Sequence, residues 1–311
     1  MLDDAPTAAA PRRHRFLNVS TGECIRTCLP ELTEHRLLAP TPEGLLLLLH
    51  ERTLVVRLLN PLTRQLTDLP PAPIILPQLT AKQFRVYGAG LVGADASAVA
   101  ILFRSCLVRK VATAKPGDGR WAVAVEGGYA TDIHTALPFA GRFYCATREG
   151  VMVLETSSSD RQPPRLVMAA EPKIKGPRFL CLMMASAQNL HLVDNGGELM
   201  LVFRKDDPQD VPRGGDYRRS YGACRVDLGA GAVVPVKSFG GRAVFMGMDR
   251  AISVSPEAFF PFVDEDTIYL GFDCDGETLG YSIADGESVH YKRVHPCTAV
   301  DCLCYCINIP L

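Results

Sequence analysis

The sequence is short of most features that mark a membrane, nucleic-acid-binding or secreted protein. It has no charge of one sign to spare: 33 Lys+Arg stand against 34 Asp+Glu, a net charge of −1. That leaves no field for holding a phosphate backbone or an anionic lipid surface. Long hydrophobic runs are missing as well. The longest aliphatic stretch, Leu45–Leu49, falls far short of the roughly 20 apolar residues that cross a bilayer. No apolar h-region follows the opening MLDDAPTAAAPRRHR, so no secretory signal is expected. Neither a nucleic-acid nor a membrane partner is expected either. The 11 cysteines then read as reduced thiols of a cytoplasmic or nuclear protein. Helical periodicity is nearly absent, which excludes a helical bundle.

What is present is a repeat of short strands. Apolar or alternating runs of four to eight residues are separated by Gly, Pro, Asn and Asp, the signature of an all-β chain. One unit is an apolar strand, a turn of the form Asn/Asp-x-x-small-Gly/Arg, and a second strand. It occurs as FLNVSTGECIRTCLP from Phe16, VVRLLNPLTRQLTDLP from Val55, CRVDLGAGAVVPVKS from Cys224 and GYSIADGESVHYKRV from Gly280. A second unit, an apolar hairpin, precedes the later copies: GLLLLLHERTLVV from Gly44, GELMLVFRK from Gly197 and DTIYLGFDCDGETLG from Asp266.

Joined, the units predict four-stranded stretches over 35–69, 84–126, 135–170, 189–239 and 242–294. Small sheets repeating every 40–60 residues must bury both faces against neighbours, which is the logic of a propeller blade. The expected fold is therefore an all-β β-propeller of four-stranded blades. Residues 16–30 supply only the last two strands of a blade, and 298–309 one or two strands without a partner. Pairing the N- and C-terminal strands closes a sixth blade and removes two exposed edges; five and seven blades are the alternatives. The expected organisation is a flexible N-terminal tail, 1–15, and a propeller over 16–309.

The phrases FLNVSTGECIR, LLNPLTRQLTDLP, FAGRFYC, HLVDNGGELMLV, FMGMDRAISVSPEAFF and DTIYLGFD are distinctive, and on them the chain resembles the plant KIB-type β-propeller family. The resemblance covers about 15–309. It implies a propeller that follows an N-terminal F-box in proteins that recruit substrates to SCF-type ubiquitin ligases, while some members bind and restrain a protein kinase. Here about 15 residues precede the first strand, too few for a helical F-box. Direct binding to the Skp-type adaptor is therefore not expected, and the implied partner is a degradation target or a kinase.

Motifs of catalysis and metal binding give way to plainer readings. Gly88-Ala-Gly90-Leu-Val-Gly93 matches G-x-G-x-x-G by letter, but another strand follows where a dinucleotide site needs a helix, and no acidic residue stands about 20 positions on. A turn and tight packing near the propeller axis explain the glycines better. Asp273-Cys-Asp275-Gly276-Glu277 lacks the spacing of a calcium loop and reads as a hairpin turn, as does Asp194-Asn195-Gly196-Gly197. Cys302, Cys304 and Cys306 alternate on an expected strand, too far apart for three thiolates to share one zinc with Cys297. No G-x-S-x-G elbow occurs, and His50, His134, His191 and His290 read as surface or satisfied core histidines. No cofactor, metal or catalytic residue is assigned.

The stretch RKDDPQDVPRGGDYRRSYG, Arg204 to Gly222, interrupts the second and third strands of the fourth complete blade with a long loop, and long loops in compact folds are often functional. Tyr217, Arg218, Arg219 and Tyr221 are the candidate partner contacts, because Tyr and Arg are favoured anchors. The expected function is non-enzymatic protein binding. The alternatives are a propeller enzyme or sugar or small-molecule binder with a site at the central channel, and a non-functional truncated paralogue.

Overall fold

Alternating apolar residues, cut every few positions by turn formers, can bury one side only as short antiparallel strands stacked into sheets. The computed structural model describes residues 13–72, 84–93, 95–105, 108–126, 132–156, 162–173, 190–205, 220–247, 250–274, 277–291 and Leu303. A hairpin comes first, β1 (Arg13–Leu17) with β2 (Cys24–Cys28). Sheet one follows as β3 (His35–Pro40), β4 (Leu46–His50), β5 (Val55–Leu59) and β6 (Leu66–Pro71). Sheet two is β7 (Val86–Val92), β8 (Ala98–Ser105), β9 (Val108–Ala114) and the two-residue β10 (Ala122–Val123). The chain then leaves sheet two, and β11 (Val125–Glu126) adds in parallel to the outer strand of sheet three.

Sheet three is β12 (Thr135–Phe139), β13 (Arg142–Ala146), β14 (Val151–Glu155) and β15 (Arg165–Pro172). Sheet four is β16 (Leu190–Asp194), β17 (Leu199–Lys205), β18 (Ser220–Asp227) and β19 (Ala232–Val236). Their outer strands β15 and β19 pair in parallel, so two potential open edges cover each other. Sheet five holds β20 (Ala243–Met246), β21 (Ala251–Val254), β22 (Thr267–Cys274), β23 (Glu277–Ser282) and β24 (Ser288–Tyr291).

The innermost strands abut in chain order, β3 on β7, β7 on β12, β12 on β16 and β16 on β21. Each seam has its own apolar core. Leu47, Leu49 and Val56 of sheet one meet Val99, Ile101 and Phe103 of sheet two, and Tyr144 and Val153 of sheet three meet Leu192 and Leu201 of sheet four. Trp121 sits just before β10 rather than within it. It is 4% exposed and donates its indole N–H to the Pro70 carbonyl of β6, 2.8 Å away, which ties the outer parts of sheets one and two.

The N-terminal hairpin lies between the last sheet and the first. Phe16 packs with Leu46, Leu48 and Leu59 of sheet one, whereas Leu17 and Val19 pack with Phe245 and Tyr269 of sheet five. Neighbouring residues of a strand point to opposite faces, so one hairpin serves both sheets. Leu303, from the C-terminal stretch, is buried in the same cluster as Leu17. The N-terminal hairpin and Leu303 therefore meet in one cluster, while the rest of 298–309, expected to pair with the N-terminal strands, lies outside the described residues.

The repeated turn has one geometry. Asn18 and Asn60 each accept, through Oδ1, the N–H two residues on (Ser20, 3.0 Å; Leu62, 2.9 Å). Their backbone carbonyls accept the N–H four residues on, from Gly22 and Arg64, as Ser282 accepts from Gly286. The fifth position carries a positive φ each time: 74° at Gly22, 61° at Arg64, 59° at Gly231 and 82° at Gly286. The terminal Gly/Arg of the repeat is the residue that must turn left-handed.

Sheet five departs from the four strands expected over 242–294. β20 is antiparallel to β21 yet parallel to β22, so it is wedged between the first and second strands of an otherwise regular blade. Its residues, AVFM, are buried at every position, with Phe245 stacked on Tyr269 at 4.7 Å between ring centroids. A strand with no polar side has no place at an edge and settles centrally. The path from β21 to β22 must then cross over it, and residues 255–266 form that crossing.

Candidate partner-binding surface

All five innermost strands run in one sense, giving the ring a near face where they begin and a far face where they end. The near face also carries the turns between second and third strands, and at the fourth sheet the ladder end Lys205–Ser220. Tyr217, Arg218 and Arg219 lie outside the described residues. Tyr221 does not belong to that loop. It pairs with Arg204 in the β17–β18 ladder, is 2% exposed, and packs edge-to-face on Tyr281 of sheet five at 5.2 Å. The ladder continues through Lys205 and Ser220, so the insertion is confined to 206–219, and Tyr221 is core rather than contact.

Three buried histidines stand at the near ends of innermost strands. His35 opens β3, with Nδ1 2.6 Å from the Glu31 carbonyl, Nε2 accepting from Arg57 at 3.0 Å, and its ring edge-on to His50 at 5.0 Å. His134 precedes β12; its carbonyl accepts from Arg109, whose guanidinium lies over the Tyr87 ring at 4.3 Å. Arg36 likewise donates to the Phe84 carbonyl ahead of β7 at 2.7 Å. These arginines hold the incoming backbone of the next sheet, a structural use of the guanidinium fork. Among the described residues, no three His, Cys, Asp or Glu side chains gather as metal ligands would.

His191, on β16, is 2% exposed. Burial pushes its imidazole down to about 4, with the Arg109 charge acting in the same direction and the Gly247 backbone opposing. An unfolded chain protonates a histidine near pH 6.5 and therefore binds more protons than the folded chain between about 6.5 and 4. The stabilising contribution is complete above that window and drains as the pH falls through it. Replacing His191 by Gln should reduce the loss of unfolding free energy between pH 7 and pH 4.5 by about 2 kcal/mol. Urea denaturation of both proteins at both pH values measures this; an unchanged loss would show that His191 takes up its proton without unfolding.

The far face presents a different feature, which sequence reading passed over. The crossing 255–266 is held at its base by Phe259 and Val263, 4% and 5% exposed. Phe262 N–H donates to the Phe259 carbonyl at 2.9 Å, and Asp264 N–H donates to the Tyr269 hydroxyl at 2.7 Å. Between these anchors Phe260 is 82% exposed and Phe262 48% exposed. The turn of the N-terminal hairpin leans on the same segment: a Cβ at Gly22 would stand 2.6 Å from the Ala258 carbonyl oxygen. Alternation in SPEAFFPFVDED gave no sign that two phenylalanines would face solvent, because the buried β20 forces the crossing outward. On the same face, Asn195 of the β16–β17 turn is buried; it donates to the Phe239 carbonyl and accepts from Ser253, both at 2.8 Å, joining sheets four and five.

The other motifs resolve into structure. Gly88 and Gly90 lie on β7 where it meets β12, the hairpin at 194–198 is the turn expected, and Cys274 pairs with Glu277 around Asp275 and Gly276, which lie outside the described residues. Cys145 and Cys224 are buried free thiols whose acidity burial suppresses, Cys224 being pushed up to about 12. Cys297, Cys302, Cys304 and Cys306 lie outside the described residues.

The family model described as the KIB1-4 beta-propeller matches residues 16–292. No curated protein sequence matches the chain. Solved structures that align with it include the PQQ-bound aldose sugar dehydrogenase of Streptomyces coelicolor, at 12% identity and a TM-score of 0.37 over 91% of this chain and 86% of that one. Virginiamycin B lyase of Staphylococcus aureus aligns at 12% identity and 0.36 over 85% and 71%. At such scores the chemistry of those enzymes stays with them.

Proposed function

The chain belongs to the KIB1-4 β-propeller family, and on that footing we propose that it is a non-enzymatic protein-binding propeller, akin to the substrate-recognition modules its sequence resembles. The observation that carries this reading is the crossing 255–266, anchored by buried Phe259 and Val263, which holds Phe260 and Phe262 out in solvent. Buried neighbours, one backbone hydrogen bond and one from the Asp264 N–H to the Tyr269 hydroxyl hold the loop before any partner arrives, so little ordering entropy is lost on binding. Aromatic side chains dominate interface energetics.

Selecting displayed protein domains against the full chain, then measuring each binder against Phe260→Ala/Phe262→Ala, tests this. Binding should weaken by at least about tenfold, roughly 1.4 kcal/mol, while the melting temperature falls only slightly, because Phe260 is largely exposed and Phe262 about half exposed. A second variant with 206–219 replaced by a Gly-Ser turn should bind as the parent does. Loss of binding in that variant alone would move the contact to the near face, and selection of no binder at all would remove the reading.

A further inference from the structure

The phenylalanine pair sits in a surface of one charge. Three segments make up this part of the far face: the hairpin turn 18–23, the crossing 255–266 and the turn 283–287. They are continuous, since Gly22 abuts the Ala258 carbonyl and Ile283 N–H donates to the Asp266 carbonyl at 3.1 Å. Together they contain no Lys, Arg or His, although the whole chain is balanced at 33 cations against 34 carboxylates. Glu23, Glu257, Asp264, Glu265, Asp285 and Glu287 are all exposed. Arg242, in the adjoining connector, is bonded through Nε to Ser253 at 2.9 Å. Net charge concealed this segregation.

Resting on the protein-binding reading above, we propose that this surface takes a basic partner segment, one in which Lys and Arg flank an apolar side chain that packs on Phe260 and Phe262. The charge decides between occupants. Anionic lipid and nucleic acid are repelled, and a two-fold contact between copies of this chain would set carboxylates against carboxylates. A cationic segment gains at both levels: its apolar residue covers two exposed rings, and its charges are steered by carboxylates held in position. Such binding weakens with salt, because exposed charges more than a Debye length apart are screened.

The probe is a short labelled peptide in which Leu and Phe alternate with Lys and Arg, followed by fluorescence anisotropy with the full chain. Two control peptides carry Glu in place of the cations, or Gly in place of Leu and Phe. The basic apolar peptide should bind, and both controls should bind at least about tenfold more weakly. Glu257→Gln/Glu265→Gln/Glu287→Gln should weaken binding about fivefold or more and flatten its salt dependence, while Phe260→Ala/Phe262→Ala should weaken it at any salt. If the basic peptide binds no better than the acidic one, or the charge-neutral variant binds it unchanged, the proposal is overturned. Binders selected as above that still depend on the phenylalanines would in that case leave the protein-binding reading standing. Self-association on sedimentation that disappears in the phenylalanine variant would make a second copy the occupant and overturn the proposal too.

Discussion

Gly90→Ala is expected to cost about 3 kcal/mol or more of folding stability, at the upper end of what overpacking a core exacts. Gly90 does not have the positive φ that favours glycine; the demand on it is steric. β7 and β12 are the innermost strands of adjacent sheets and abut along their length. A Cβ at Gly90 would stand 2.1 Å from Cγ and 2.6 Å from Cβ of the Pro138 ring. Two residues back on the same face, a Cβ at Gly88 would stand 2.8 Å from the Ala136 carbonyl oxygen. A proline ring cannot swing aside as the end of a lysine can, so the two strands must separate. β7 has no room to retreat, because Ala89 between the glycines packs into the core shared with sheet one. Urea denaturation of the full chain measures the loss. Should the variant fail to fold, Gly90→Ala combined with Pro138→Ala should recover part of the stability. A Gly90→Ala protein within about 0.5 kcal/mol of the parent would sink this account of the seam.

That seam also shows why some of the fold is legible in the sequence. G-x-G-x-x-G here marks two backbones in contact, and the strand that follows it, where a nucleotide site needs a helix, was visible in ADASAVAILF. The four hairpins were readable because their turn places one residue in a left-handed conformation at a fixed offset, and that chemistry selects Gly, with Arg64 as the exception. What periodicity cannot report is partner choice between strands. β20 reads as one more apolar run, and nothing local says that it will lie parallel to β22. Its insertion creates the crossing that exposes Phe260 and Phe262, so the most prominent feature of the far face depends on a long-range pairing. Tyr221 fails as a contact for a related reason. Its neighbours in sequence are loop-like, but Arg204 opposite it extends the ladder and draws it into the core. The charge segregation is equally non-local, since it needs three segments from both ends of the chain brought together.

Closure of the ring yields the second large effect. Leu303 is 1% exposed, in a cluster with Phe245, Phe259, Val263 and Tyr269 of sheet five and with Leu17 and Val19 of the N-terminal hairpin. A buried Leu→Ala change of this kind costs about 2–5 kcal/mol, the loss of transfer free energy adding to the cavity left behind. Leu303→Ala should fall in that range, and Leu17→Ala, at a half-buried position, below it. If the two ends of the chain pack on each other, the double variant will be more stable than the sum of the single losses predicts, with a coupling of about 0.5–3 kcal/mol. Removing 297–311 takes away Leu303 and uncovers the cluster beneath it, so the shortened protein should aggregate on heating at a lower temperature. The decisive comparison is between sheets. Leu303→Ala should accelerate hydrogen exchange in β1, β20, β21 and β22 first, because those strands line the closing cluster, and leave β8 and β13, in seams on the other side of the ring, protected until global unfolding. Uniform acceleration across all five sheets, or a stability change under about 0.5 kcal/mol, would mean that the ring is held by something other than its two ends.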